Sequence, residues 1–371
     1  MALSDVTVKV NLVTSVGVEP TWYPLLLAEN DAVVPAISYA ECSSLEQLAV
    51  LIANYQERDD SAARKKKLAD AKKTRLYLSA YHMFLQENHP NRFAVCTIPA
   101  NATMEDAKTA LEPYLDKGWR QLVPVYNCNL LFCFQLAEYI ENLEQRKMLF
   151  FEGNSPQAYS VEDPENSRKY QLSDYTRTVA VYHPSCGTFE DTQYPVCSVI
   201  GAVAGKAPGS INYRNMIVNG IAPVALTEEE LETLHTNGFM TLVERAGDVV
   251  TSQGKSASGE RYIDTIDIED YVVQQLIYVS QKALNVNAIV PYNNDGISIL
   301  ENAAVSVMLD CCDKGMIAKT DTNTYAYEVN YPAIGLVPEE DIAARVYKLG
   351  TVSFTVQGAI DKEEITVDMM L

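Results

Sequence analysis

No two cysteines of the 371-residue chain stand in a CxxC pair. The eight (Cys42, Cys96, Cys128, Cys133, Cys186, Cys197, Cys311 and Cys312) are scattered, and the four histidines, His82, His89, His183 and His235, do not stand at ligand spacing from them. This argues against a zinc site, and the expected state is reduced thiols in a reducing compartment. No apolar run approaches the ~18 residues of a membrane span. Asp5 and Lys9 sit inside an alternating pattern at the N-terminus, with no basic stretch leading into an apolar one, so no secretion signal is expected. Basic charge is scarce. Lys and Arg total 29 against 49 Asp and Glu, a net charge of −20, which argues against general nucleic-acid binding.

Catalytic signatures are also missing. There is no GxSxG, and no GxGxxG follows a strand. The stretch from Gly201 through Gly205 and Lys206 to Ser210 resembles a phosphate loop but fails in detail. Three residues separate its glycines where four are needed, and Ala207 replaces the magnesium-binding Ser or Thr. Asp264, Asp267, Glu269 and Asp270 form an acidic cluster whose spacing does not match a calcium loop. The last three fall at a predicted helix N-terminus, where the helix dipole favours negative charge. His183 is the strongest single catalytic candidate because it follows a predicted strand, but a lone histidine there is usually structural. The expectation is no enzyme, no cofactor and no metal.

What the chain has is alternation of helix and strand patterns, an α/β arrangement. Ser43 or Ser44 can cap a helix to about residue 55. A longer helical pattern covers 62–86, and Thr103 caps another ending near Gly118. Strands are expected at 92–98, 121–126, 148–151 and 177–182, with a helix over 130–147. Thr227 and Glu230 form a capping box under a Leu226–Leu231 hydrophobic staple, and that helix stops at Asn237-Gly238. Further strands are expected at 239–244 and 249–252, followed by a flexible turn over 254–259. Helices follow at 268–284, 296–314 and 338–344, then a long strand at 346–357. One local exception breaks the acidic balance. Residues 58–75 hold eight basic residues against three acidic ones, including Arg64-Lys65-Lys66-Lys67. This is either a solvated helix face or a patch that meets an acidic partner.

Both ends read as period-2 strands. Val6, Val8, Val10 and Leu12 share one face of the first, and Ile365, Val367 and Met369 share one face of the last. A terminal strand must find a sheet edge, its own or a neighbour's. Polar segments 13–20 and 358–364 separate both arms from the body.

The order of features in the second half resembles the sheath protein of contractile phage tails and related injection machines. The carrying residues begin at Arg177, Tyr182, His183 and Pro184. They continue through the small-residue helix ending at Gly205, then Pro208-Gly209-Ser210, Asn212-Tyr213 and Asn219-Gly220. After these come Leu226-Thr227 with Glu230, Asn237-Gly238-Phe239, Arg261-Tyr262-Ile263-Asp264, Asp270-Tyr271, Pro291-Tyr292, Asp295-Gly296 and Lys314-Gly315. One departure stands at Val16-Gly17-Val18-Glu19-Pro20, where many sheath proteins carry Pro-Gly-Val-Tyr.

The resemblance implies a multi-domain α/β (α+β) subunit. Residues 1–20 would be an N-terminal arm, 21–180 an outer variable domain, 181–357 an inner domain facing the tube, and 358–371 a C-terminal arm. The arms of neighbouring chains would add to an acceptor strand carrying Val352, Phe354 and Val356. The implied partners are further copies of the chain in a helical homopolymer, a tail tube protein, and baseplate and tail terminator proteins, with no membrane and no direct nucleic acid. The implied place is a bacteriophage virion tail, or a contractile particle, assembled in the bacterial host cytoplasm. Two alternatives stay open: another self-assembling shell or baseplate protein, and a cytoplasmic α/β enzyme with an unrecognised site.

Overall fold

The computed structural model describes residues 22–56, 59–125, 130–155, 172–187 and 192–361. Both predicted arm strands, with Val6, Val8, Val10, Leu12, Ile365, Val367 and Met369, lie outside the described residues.

The body is built on one seven-stranded sheet. In chain order its strands are β1 (Tyr23–Glu29), β2 (Ala40–Cys42), β3 (Phe93–Ile98), β4 (Trp119–Pro124), β5 (Met148–Gly153), β6 (Thr178–Tyr182) and β7 (Phe239–Met240), arranged in space as β2-β3-β1-β4-β5-β6-β7. All pairings are parallel except β2 with β3. Crossover helices cover both faces, so the central strands are buried on both sides. Leu25, Leu26 and Leu27 are each fully buried. Leu26 and Ala28 face one core, while Tyr23, Leu25 and Leu27 face the other. The sheet takes strands from both sides of residue 180.

One face carries α1 (Leu45–Ala53), α3 (Arg75–Phe84) and α6 (Pro195–Val203). The other carries α4 (Met104–Leu111), α5 (Leu130–Glu141) and α7 (Glu228–Thr236). The expected single helix over 62–86 is two, α2 (Ser61–Ala71) and α3. Thr74 takes extended backbone and accepts from the Tyr77 amide, so its hydroxyl starts a new helix rather than continuing the old one. The Thr227–Glu230 capping box is present in both directions, and Leu226 and Leu231 both pack on the core. Gly238 ends the turn at a φ of +83°, and a Cβ there would meet the Ala257 carbonyl oxygen at 2.2 Å.

The expected strand at 239–244 divides. Its first part joins the large sheet. Its second, β8 (Leu242–Arg245), forms a hairpin with β9 (Asp248–Thr251). The segment after β9 is not the flexible turn expected. Gln253, Ser256 and Ala257 are buried, and the Ala257 amide donates to the Thr178 carbonyl at 2.7 Å. Polarity and glycine there serve close backbone contact rather than solvation.

The C-terminal part pairs α8 (Ile263–Val286) with α9 (Asn294–Asp313). Beside them a small antiparallel sheet joins β10 (Tyr327–Asn330) to β11 (Thr351–Phe354), and a short α10 (Glu339–Ala344) lies between its strands. Helix α8 begins five residues earlier than expected, at Ile263. Cys311 and Cys312 are both buried between α9 and its neighbours.

Candidate assembly edge and the ionic joint behind it

The long strand expected over 346–357 is shorter. Arg345 adopts a left-handed conformation after α10, the Val346 amide donates to the Asp341 carbonyl, and Tyr347 stacks on Tyr331. Regular pairing therefore starts only at Thr351. Val352, Phe354 and Val356 nevertheless share one setting. Their side chains lie against the α8–α9 core. Their backbones can be placed from the ladder. The Thr355 amide donates to Ala326 and its carbonyl accepts from Ala318, while the Gln357 amide donates to Met316. Bonded and non-bonded pairs alternate along an antiparallel ladder. Thr351, Ser353, Thr355 and Gln357 thus turn their backbone groups inward to the existing partner. Val352, Phe354 and Val356 turn theirs to the opposite edge, which no strand covers among the described residues.

Behind this small sheet, α8 is fixed to the large sheet by charges that the sequence reading missed. Three arginines stand at the starts of adjacent parallel strands: Arg120 in β4, Arg146 before β5 and Arg177 before β6. All three converge on Asp270, which is 0% exposed. Arg177 holds it with two bonds, at 2.8 and 3.0 Å. Arg120 and Arg146 each approach it at 2.6 Å. Arg120 also donates to Asp267 at 2.8 Å, and the Tyr213 hydroxyl donates to the other oxygen of Asp267 at 3.0 Å. The Trp22 ring covers the Arg120 guanidinium at 4.5 Å. Arg146 and Arg261 both reach Glu269 on the outer side.

Burial opposes the charge of Asp270, but the three arginines outweigh it and hold its carboxyl well below the ordinary range. For Asp267 burial prevails over Arg120 and Tyr213, and the carboxyl is raised. Asp267, Asp270 and the three arginines thus form one desolvated network, in which every carboxylate oxygen of the two aspartates has a partner, with Glu269 and Arg261 at its part-exposed rim and Asp264 outside it. The helix-dipole reading of these acids is corrected accordingly: Asp267 and Asp270 belong inside α8 as anchors to the sheet. A local signal for this existed, because Arg120 and Gln121 stand among the apolar residues Trp119, Leu122 and Val123 of one strand, and a central parallel strand can bury a charge only with a partner.

Other candidates resolve into packing. His183 is buried, with Nε2 at 3.0 Å from the Ala222 carbonyl and Nδ1 facing the Ser185 amide at 3.1 Å. Burial lowers its pKa. The glycines of the phosphate-loop lookalike allow close approach. A Cβ on Gly201 would fall 2.2 Å from the Met83 carbonyl of α3, and one on Gly205 would fall 2.5 Å from that of His89. The seven cysteines among the described residues are buried thiols, and burial raises the pKa of Cys42 and Cys96 to about 11. No group of three or more potential metal ligands occurs among the described residues. No helix among them is long and apolar enough to cross a membrane.

No family model and no curated protein matches the sequence. Solved structures do match the fold. The anti-feeding prophage (AFP) helical sheath in its contracted state aligns over 100% of this chain and 99% of its own, at 13% identity and a TM-score of 0.64. A chain of the AFP baseplate aligns over 100% of both, at 13% identity and 0.66. The PVC sheath complex of an extracellular contractile injection system, also contracted, aligns over 99% and 98%, at 11% identity and 0.61. The chain has the fold of the sheath proteins of contractile injection systems, along its whole length.

Proposed function

We propose that this chain is a structural subunit of a contractile sheath. It polymerises helically around a tube and contracts to drive that tube through a target envelope. The observation that carries the reading is the likeness over the full chain to sheath subunits, together with the open backbone edge at Val352, Phe354 and Val356. Val6, Val8, Val10 and Leu12 of one neighbour, and Ile365, Val367 and Met369 of another, extend the β10–β11 sheet across subunits by strand addition. Main-chain bonds of that kind persist while each body rotates as a unit, with residues 13–20 and 358–364 as hinges. The ionic joint supports this picture, since it ties α8 to three strands and leaves the body without an internal hinge at that point.

In this reading residues 21–180 contribute mainly to the outer layer and 181–357 mainly to the inner, tube-facing one, with the large sheet taking strands from both. The partners are further copies, the tube protein, and the baseplate and terminator proteins. The particle is a phage tail or an injection particle assembled in a bacterial cytoplasm, and no catalysis is involved. The likeness to a chain of the AFP baseplate gives weight to a second reading, a sheath-like subunit of the baseplate end.

The test is negative-stain electron microscopy of the full chain across a range of salt, beside a truncation lacking residues 363–371. Long hollow tubes from the full chain and a folded monomer from the truncation support the proposal. Normal tubes from the truncation overturn strand exchange.

A further inference from the structure

The basic stretch that the sheath reading leaves unused forms α2, and its surroundings do not explain it. Of this helix only Ala71 is buried, with Leu68 partly so. Arg64, Lys65, Lys66, Lys72 and Lys73 are exposed. Lys67 pairs with Asp59 at 2.7 Å and Arg64 lies over the Tyr55 ring, but Lys65, Lys66, Lys72 and Lys73 have no ion pair among the described residues. A helix whose apolar contact is confined to Leu68 and Ala71 gains little from packing, and its charged remainder is suited to bridging between bodies. Residues 58–75 hold eight of the 29 basic residues but three of the 49 acidic ones, so the remaining surface is more acidic than the net −20 of the whole chain.

The position of α2 decides what it can meet. It packs on α1, and α1 packs against β2, the first strand of the large sheet. At the other limit α7 packs against β7, the last strand. Helix α7 presents Glu228, Glu229 and Glu232 to solvent, and none of them has an ion pair among the described residues. The two helices lie on opposite faces of the sheet and at opposite edges, six strand spacings or ~29 Å apart. They cannot meet within one copy.

We infer that α2 of one copy docks on the acidic face of α7 in a neighbouring copy, with Lys65 and Lys66 opposite Glu229 and Glu232. A contact between different surfaces at opposite edges is heterologous. It repeats head to tail and generates a ring or an open helix rather than a closed pair. It also offsets the mutual repulsion of highly acidic subunits at a place where basic charge is concentrated. The inference rests on the sheath reading, because it takes the second copy as occupant. An acidic polymer on α2 is the competing outcome.

The experiment mixes heavy-isotope and unlabelled full-length chains, assembles them at low salt, and applies a carbodiimide. This reagent condenses a lysine amine with a glutamate carboxylate to an amide. Heavy-to-light links between Lys65 or Lys66 and Glu229 or Glu232 are expected. The Lys65→Glu/Lys66→Glu chain should fold normally, since both positions are exposed, and should raise the concentration needed for assembly by about three- to tenfold. Mixing it with the Glu229→Lys/Glu232→Lys chain should restore assembly. Tubes without these links, a double variant that assembles at the wild-type concentration, or a charge swap that restores nothing would each overturn the contact while leaving the sheath reading standing. If the full chain forms no assembly under any condition, the sheath reading falls, and this contact falls with it.

Discussion

Arg177 grips Asp270 with two parallel bonds, at 2.8 and 3.0 Å, across 93 residues of sequence. The pair ties the start of the sixth sheet strand to the long helix α8, and Arg120 and Arg146 share the same carboxylate. Asp270→Asn should therefore cost about 3–5 kcal/mol, because it leaves three arginines desolvated around a neutral amide. Arg261→Ala, at the outer and part-exposed end of the network, should cost no more than ~1 kcal/mol. Urea denaturation of the two variants against the parent chain checks the difference.

Lys147 gives a pH signature. Its ammonium is buried under the Trp119 ring and donates to the Lys117 and Trp119 carbonyls at 2.8 and 2.6 Å. Burial, with Arg120 nearby, lowers its pKa from 10.5 to about 7. Between about pH 7 and 10.5 the unfolded chain then binds the proton and the folded chain does not. This site should make stability rise with pH across that window, by up to ~1.4 kcal/mol per pH unit. Lys147→Met removes the titration. The difference in unfolding free energy between parent and variant, measured at several pH values, should carry that slope. A difference independent of pH would show that Lys147 stays charged.

If the β11 edge accepts a neighbour's strand as proposed, variants there separate folding from assembly. Val352 turns its amide to the open edge, whereas Ser353 turns its amide to β10. Val352→Pro should leave β10 and β11 paired and the chain folded, since proline is tolerated where no ladder bond is lost. The same variant should abolish tubes. Ser353→Pro removes a bond inside the ladder and should lower the melting temperature as well. Circular dichroism and microscopy of both variants read the two effects independently.

The helix α6 lies against α3 without room for a side chain at Gly201. Gly201→Ala should destabilise by about 1–3 kcal/mol, because backbone rather than a flexible side chain must yield. Gly335 has nothing within 4 Å of a new Cβ. Gly335→Ala is the control, and it should be neutral or stabilise by ~0.4–1 kcal/mol through the unfolded state. Thermal unfolding of both chains tests the contrast.

Local chemistry was legible where the cause was local. Thr227 with Glu230 announced a helix start, Gly238 its end, and the alternation at Val352, Phe354 and Val356 a strand with one apolar face. Where the sequence reading erred, the cause was in several cases distant in the chain. Thr74 broke one expected helix into two because α3 turns to pack on α6, a segment more than a hundred residues later. The glycine-rich segment after β9 looked solvated but is buried, because Thr178 receives its backbone. Arg120, Arg146 and Arg177 carried no motif, since their partners lie on a helix that follows all of them.

The sequence by itself determined the order of elements, the caps and turns that bound many of them, the scarcity of catalytic and metal-binding patterns, and the excess of acid. Those follow from periodicity, capping chemistry and charge, all of which act within a few residues. Only the tertiary structure decided which edge of β11 stays open, that three strand-initial arginines meet one aspartate, and that the basic α2 and acidic α7 stand at opposite limits of the sheet. Each of these depends on how parallel strands are ordered in space, and that order is set by burial of both sheet faces at once rather than by any single segment.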